Sequence, residues 1–159
     1  MSNAKELRTK FWTALADSPF VFLQLDSDSQ TAVPMTAQLD KHADSEIWFF
    51  TGRDHPLARM GPATATFAGK DHDIFARFTG TLNEETSRER LEKHWSPAIE
   101  SWFGGKDDPN LLLLRLDAER ADVWEASSAA TLKAAALKMM FDVDPGKEQQ
   151  REHQAEVQL

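Results

Sequence analysis

A polar run in the first half of the chain has the chemistry to bind an anion. Thr51-Gly52-Arg53 directly follows the apolar residues 47–50, and Asp54-His55-Pro56 then has the features of a helix start, with proline in the first turn. A helix start presents backbone N–H groups, and here a hydroxyl and a guanidinium stand beside it. The combination predicts a site for an anion such as a phosphate.

The residues just before this corner suit a flat aromatic ligand. Residues 33–40 and 46–51 are both rich in apolar and strand-forming residues, and the polar segment 41–45 separates them. Two such runs around a polar loop predict a β-hairpin. Met35, Gln38 and Trp48 on that hairpin would offer a thioether, an amide and an indole to a planar ring system.

Other kinds of catalytic or metal chemistry have no support in the sequence. The chain has no Cys, which excludes a thiolate metal site and a cysteine nucleophile. The five His show no metal-ligand spacing, and no Gly-x-Ser-x-Gly elbow is present. Gly104-Gly105-Lys106 is followed by Asp107 where a phosphate-binding P-loop requires Ser or Thr, so a solvated turn is the better interpretation.

Composition narrows the class of protein. A chain of 159 residues is expected to form a single domain, with its core over about residues 7–126. The net charge of −8 argues against a nucleic-acid footprint and against a membrane surface as partner. The sequence has neither an apolar run of membrane-spanning length nor a hydrophobic signal core, and without Cys it fits a reducing, cytoplasmic location.

Hydrophobic patterning predicts the elements that must position these residues. About seven strands joined by turn-length connections favour an antiparallel barrel or sandwich with peripheral helices, in the mainly-β or α+β class. The expected elements are a helix over 6–16, a strand over 20–25 buried on both faces, strands over 62–68 and 74–82, a helix over 84–95 capped by Asn83 or Thr86, two strands over 111–116 and 121–126 paired around a turn, and a final helix over 129–140 before a polar tail.

Several short motifs, taken in order, resemble a known family. They are Pro34-Met35-Thr36-Ala37-Gln38, Ile47-Trp48-Phe49-Phe50-Thr51, Phe78-Thr79-Gly80, His94-Trp95-Ser96-Pro97, Trp102-Phe103-Gly104-Gly105, Lys106-Asp107-Asp108-Pro109 and Ala121-Asp122-Val123-Trp124. Over most of its length, about residues 7–124, the chain is similar to the general stress protein branch of the pyridoxamine 5′-phosphate oxidase-like, FMN-binding split-barrel superfamily.

The resemblance implies a homodimer of six- to seven-stranded antiparallel split β-barrels that binds FMN at the subunit interface. On this model the second strand runs along the flavin ring and the third strand forms one wall of the site. Thr51 and Arg53 bind the phosphate, and tryptophans cover the ring or approach it from the partner subunit. The cofactor-binding residues would be Met35, Thr36, Gln38, Trp48, Phe50, Thr51, Arg53, His55, Trp95, Trp102 and Trp124. No catalytic acid or nucleophile is implied, because the flavin carries the redox chemistry.

The chain departs from the family pattern at basic positions. Val33 stands where Arg is common, Leu57 falls near a usual Lys, and His55 replaces a common Ser. The usual Arg and Lys would neutralise a phosphate, so either other basic residues replace them or FMN affinity is low, and true pyridoxamine phosphate oxidation is not expected. The basic residues that could replace them are Arg53, Arg59, His55 and Arg77. Three functions stay open: a flavin-dependent oxidoreductase of unknown substrate, a non-catalytic flavin-sequestering stress protein, and a cofactor-free structural dimer.

Overall fold

The computed structural model describes residues 4–126 and 154–158. Its elements are the helices α1 (Ala4–Asp17), α2 (Arg88–His94) and α3 (Pro97–Glu100), a 3-10 helix (Pro56–Arg59), and the strands β1 (Phe20–Leu25), β2 (Asp28–Thr36), β3 (Glu46–Gly52), β4 (Gly61–Ala68), β5 (Ile74–Glu84), β6 (Leu111–Glu125) and β7 (Gln154–Gln158). The strand order is β2-β1-β4-β5-β6-β3, with β7 added to β6, and every pairing is antiparallel. The mainly-β split-barrel class predicted from the sequence is confirmed.

A single isolated bridge joins the two ends of this curled sheet. The Gln38 N–H donates to the Trp48 carbonyl at 2.8 Å, and the Trp48 N–H donates to the Gln38 carbonyl at 3.0 Å. The predicted hairpin between β2 and β3 is therefore wrong, since β2 pairs with β1 and β3 pairs with β6. The reason is local: two residues, Asp26 and Ser27, connect β1 to β2, whereas a longer segment separates β2 from β3.

Helix α1 covers the interior of the barrel, as its predicted apolar stripe requires. Leu7, Phe11 and Leu15 are fully buried in the same cluster as the inward residues of the strands. The Phe11 ring makes edge contacts with Phe67 at 6.3 Å and Phe78 at 5.2 Å between centroids. The helix thus ties β4 and β5 to one core.

Strand β1 is buried on one face and not on both, which corrects the sequence-based expectation. Val21, Leu23 and Leu25 lie in the core, while Phe20 is 64% and Phe22 is 54% exposed. An apolar run alone does not distinguish a strand buried twice from one with an apolar outer face. The exposed phenyl rings leave an unpartnered apolar patch on the barrel.

The two strands expected at the C-terminal end of the barrel are one continuous strand. β6 pairs with β3 through its first half and with β5 along nearly all its length. The pairing register shifts between Thr79 and Gly80, where the partners are Arg120 and Ala118. The polar residues 117–120, predicted as a turn, instead include a β-bulge, which inserts a residue without reversing the chain.

The α2–α3 region covers the outer face of β3. The predicted helix over 84–95 begins late because Asn83 and Glu84 pair with β6, and Ser87 caps it in place of Asn83 or Thr86. The predicted final helix over 129–140 lies outside the described residues, whereas part of the polar tail forms β7.

Candidate functional site

An open groove of about 720 Å³ lies between β2, β3 and the segment that follows α3. Its size is within the range of pockets that hold small cofactors. The lining residues come from four stretches of chain: Val33, Pro34, Met35, Thr36 and Gln38; Phe50, Thr51, Gly52, Asp54, His55 and Pro56; Ile99, Trp102, Phe103 and Gly104; Asp108 and Asn110.

The pleat of β3 decides which of its side chains reach this groove. Ile47 and Phe49 point into the core, so Trp48, Phe50 and Gly52 face outward. The Phe50 ring lines the groove and meets the edge of Trp95 at 5.8 Å between centroids. The outward face of β3 thus supplies an aromatic floor.

One end of the groove is polar and tightly constructed. The Asn110 Nδ2 donates to Asp54 Oδ1 at 3.3 Å, and the Asn110 carbonyl accepts from the Arg53 N–H at 2.8 Å. A Cβ on Gly52 would lie 2.6 Å from the Asp54 carboxylate and 2.8 Å from the Asn110 amide. Glycine at this position therefore allows the two polar side chains to pack over the backbone.

Asp108 carries a negative charge beside this end. The N–H groups of Asn110 and Gly104 donate to its carboxylate at 2.9 Å and 3.1 Å. These hydrogen bonds hold the pKa of Asp108 below its ordinary value, so the group is ionised at neutral pH.

Comparison with known proteins agrees with this architecture. The family model described as "Pyridoxamine 5′-phosphate oxidase like" matches residues 6–143. The chain belongs to this family. A stretch of 47 residues, 30% of the chain and 34% of its relative, is 40% identical to general stress protein 26 of Bacillus subtilis.

Solved structures of family members match over most of the chain. A protein of Xanthomonas campestris described as a general stress family protein is 41% identical, with 81% of this chain and 93% of that chain covered and a TM-score of 0.73. The general stress FMN/FAD-binding protein of Xanthomonas citri is 41% identical, with 79% and 92% covered and a TM-score of 0.72. A general stress protein 26 homologue of Jannaschia is 28% identical over 99% of this chain and 100% of its own, with a TM-score of 0.74.

The structure brings together many of the residues that the family resemblance singles out. Of the predicted cofactor-binding residues, those that line the groove are Met35, Thr36, Gln38, Phe50, Thr51, His55 and Trp102. They come from strands, a helix start and a loop that are distant in sequence. Their convergence makes the groove the candidate functional site of this family member.

Trp48 and Trp95 lie behind the groove. Trp48 is buried, and its Nε1–H donates to Glu85 Oε1 at 2.9 Å. The His94 ring packs on the Trp48 indole at 4.8 Å, and the Arg90 guanidinium lies 4.9 Å from the same ring. Trp48 and Trp95 therefore support the aromatic floor, and neither lines the groove.

Arg53 and Trp124 also lie outside the groove lining. The Arg53 guanidinium pairs with Glu84 at 2.6 Å and lines a depression that adjoins the groove at Asp108. Trp124 pairs with Phe75 and lies at the opposite end of β6 from Leu111, the partner of Gly52. Trp124 therefore does not line the groove of its own chain.

Sequence reasoning missed several groove residues. The sequence places Asp54 only in a helix start and Asp108 only in a motif of the family resemblance, and it singles out neither Ile99 nor Asn110. The loop 104–110 offered one signal: its Asp108-Pro109-Asn110 turn immediately precedes a buried strand, which fixes its polar side chains at a strand end.

The described residues give no sign of a metal site or a membrane span. Among them, no three His, Cys, Asp or Glu are placed to hold a metal ion. No helix in the same part of the chain is long and apolar enough to cross a membrane.

Proposed function

We propose that this protein binds FMN in the groove and acts as a flavin-dependent oxidoreductase of the general-stress-protein type. The observation that carries the proposal is the convergence of apolar and amide side chains, Met35, Phe50 and Gln38, on one groove of cofactor size. The Xanthomonas citri relative, named as an FMN/FAD-binding protein and 41% identical, supports it.

The groove chemistry fits the ring system of a flavin. Met35, Phe50 and Trp102 offer apolar contact to a flat ring, and Trp102 is 82% exposed and available to cover it. Thr36 and Gln38 offer hydrogen bonds to its polar edge. Bound FMN would supply hydride or electron transfer, while these side chains orient the ring and exclude water.

The remaining predicted residues keep supporting roles in this proposal. Trp48 and Trp95 hold the aromatic floor from behind. Thr51 and His55 line the polar end of the groove, where the phosphate of FMN would lie, and Arg53 lies beside that end in the adjoining depression. Trp124 would contribute only from the partner subunit.

A homodimer completes the site in this proposal. Phe20 pairs with Thr36 and Phe22 pairs with Pro34, so the two exposed phenyl rings share a face with two groove-lining residues. An apolar surface continuous with an open groove is typical of a protein–protein contact. Burying it against a second copy would shield both the phenyl rings and the bound ring system.

Titration of the purified protein with FMN tests the proposal. We expect quenching of flavin fluorescence, and we expect Gln38→Ala to weaken binding about tenfold because one hydrogen bond is lost. The matched control is Gln24→Ala, a half-buried glutamine in β1 that does not line the groove. A colourless protein that neither quenches FMN nor gains thermal stability from it would contradict the proposal. Oxidation of NADH or NADPH with an electron acceptor separates an oxidoreductase from a flavin-sequestering protein.

A further inference from the structure

The polar end of the groove is negative, although a flavin nucleotide would place its phosphate near it. Asp54 and Asp108 line the groove, and within residues 4–126 no Lys or Arg does so. The chain as a whole has a net charge of −8. A phosphate dianion at this end would be repelled by two carboxylates and would gain no facing cation from the same protomer.

Three backbone donors of the strand-to-helix corner are already used within the chain. The Arg53 N–H donates to the Asn110 carbonyl at 2.8 Å, and the His55 N–H donates to the Gly52 carbonyl at 3.0 Å. The Leu57 N–H donates to His55 Nδ1 at 3.1 Å. An anion at this corner would have to displace these bonds.

A carboxylate of the protein itself occupies the donors of the facing loop. The N–H groups of Gly104 and Asn110 both point to Asp108, at 3.1 Å and 2.9 Å. These N–H groups would otherwise suit a phosphate oxygen. The loop therefore supplies its own anion in place of binding one from solution.

Three cationic side chains lie in a depression beside this end, and none of them lines the groove: Arg53, Arg88 and Lys106. Arg88 pairs with Asp107 at 3.0 Å. The Arg53 guanidinium forms an ion pair with Glu84 at 2.6 Å, and the depression that it lines adjoins the groove at Asp108. Leu57 is fully buried in the core, and Val33 presents an aliphatic side chain to the groove.

We infer that the groove recognises a flavin through its ring system and ribityl chain and gains little from the 5′-phosphate, so that riboflavin and FMN bind with similar affinities. The inference rests on the proposed function and narrows the ligand class at that site. It makes this family member selective for the ring and indifferent to the phosphate.

Parallel titrations of the full chain with FMN and riboflavin test the inference. We expect the two dissociation constants to agree within about fivefold. Raising the salt concentration from about 0.05 to about 0.5 M should leave FMN binding unchanged or tighten it, because salt screens the repulsion between phosphate and carboxylates. A cation site for the phosphate would give the opposite sign, with FMN binding weakened by salt.

Two substitutions locate the effect. Asp54→Asn keeps an oxygen to accept from Asn110 and removes one negative charge, so FMN should tighten by roughly twofold to fivefold while riboflavin does not change. Asp71→Asn, at an exposed carboxylate in the turn between β4 and β5, is the matched control and should change neither. Arg53→Ala should alter the two dissociation constants equally, because the Arg53 guanidinium pairs with Glu84 and does not line the groove.

The results that would contradict this inference differ from those that would contradict the proposed function. Preference for FMN above about fivefold, or a selective loss of FMN binding in Arg53→Ala, would show that the phosphate is recognised. Absence of binding by both flavins would instead remove the proposed function, and the inference with it.

Discussion

At the scale of single residues, Trp48 shows how a buried aromatic side chain supports a site that it does not line. Its indole N–H is satisfied by Glu85, and its ring faces are covered by His94 and Arg90. A buried indole needs such a partner, and the carboxylate needs the donor in return. The resemblance predicts that Trp48 forms part of the strand beside the ligand, and the structure shows that Glu85, His94 and Arg90 hold its indole in place.

Removal of this hydrogen bond is expected to destabilise the fold. In Trp48→Phe the half-buried Glu85 carboxylate loses the indole donor, which should lower the free energy of unfolding by about 1–3 kcal/mol in urea titrations. Trp102→Phe makes the same chemical change at a residue that is 82% exposed and should cost less than about 0.5 kcal/mol. Equal losses in the two variants would refute the role assigned to the Glu85 bond.

His94 should make stability depend on pH. Burial, with smaller contributions from Lys93 and Arg90, lowers its pKa, against the opposite pull of Asp40 and Glu85. The folded protein therefore favours neutral His94. The His94 contribution to the free energy of unfolding is fully present above about pH 6.5 and decreases as the pH is lowered from there. One proton limits this slope to about 1.4 kcal/mol per pH unit.

The substitution His94→Phe keeps a ring against Trp48 and removes the titrating group. We expect urea midpoints of this variant to lose the His94 component of their pH dependence between about pH 5 and 7. The exposed His42→Gln variant is the control and should retain the wild-type slope. A His94→Phe protein with an unchanged slope would show that the dependence arises elsewhere.

At the scale of elements, the connection from β2 to β3 is fastened by helix α2. Asp40, just beyond the Gln38–Trp48 bridge, accepts from Arg90 Nη1 at 2.7 Å and 2.6 Å and pairs with Lys93 at 2.9 Å. Because Gln38 lines the groove, this contact links α2 to the position of a proposed flavin-binding residue. Sequence patterning found α2 but could not reveal this link, since the partners lie about fifty residues apart.

The bulge between β5 and β6 depends on glycine at position 80. A Cβ there would lie 2.1 Å from the Asp117 carbonyl oxygen, a distance that only backbone movement can relieve. Gly80→Ala should therefore lower the free energy of unfolding by at least about 2 kcal/mol, measured by urea denaturation. Thr81→Ala, one residue along the same strand, is the control with a much smaller cost, and a similar loss in both would contradict the clash.

At the scale of the whole molecule, the exposed apolar residues and the groove form one continuous region. Phe20 and Phe22 share the outer face of the barrel with Pro34 and Thr36, and Trp102 stands exposed at the groove. Large exposed hydrophobic side chains scattered singly need no explanation, but a contiguous set beside a groove does. The proposed homodimer accounts for both features together.

A charge placed on this face should separate the subunits. In Phe22→Asp we expect sedimentation equilibrium to shift from dimer to monomer and FMN binding to weaken by about tenfold or more, because the partner no longer covers the groove. Thr13→Asp, on the exposed side of α1, is the matched control and should stay dimeric. A wild-type protein that is monomeric at micromolar concentration and still binds FMN would contradict the interface.

The sequence by itself determined most of the elements and, through the ordered motifs, the family. Helix α1, strands β4 and β5, and the proline-led helix start after Asp54 follow from local periodicity and capping chemistry, which neighbouring residues settle among themselves. Only the tertiary structure decided which strand pairs with β2, that residues 111–125 form one strand, and that Arg53 faces Glu84 and not the groove. These outcomes depend on contacts between residues far apart in the chain. The relative free energies of alternative strand pairings and ion pairs decide them, and local sequence patterns do not contain that information.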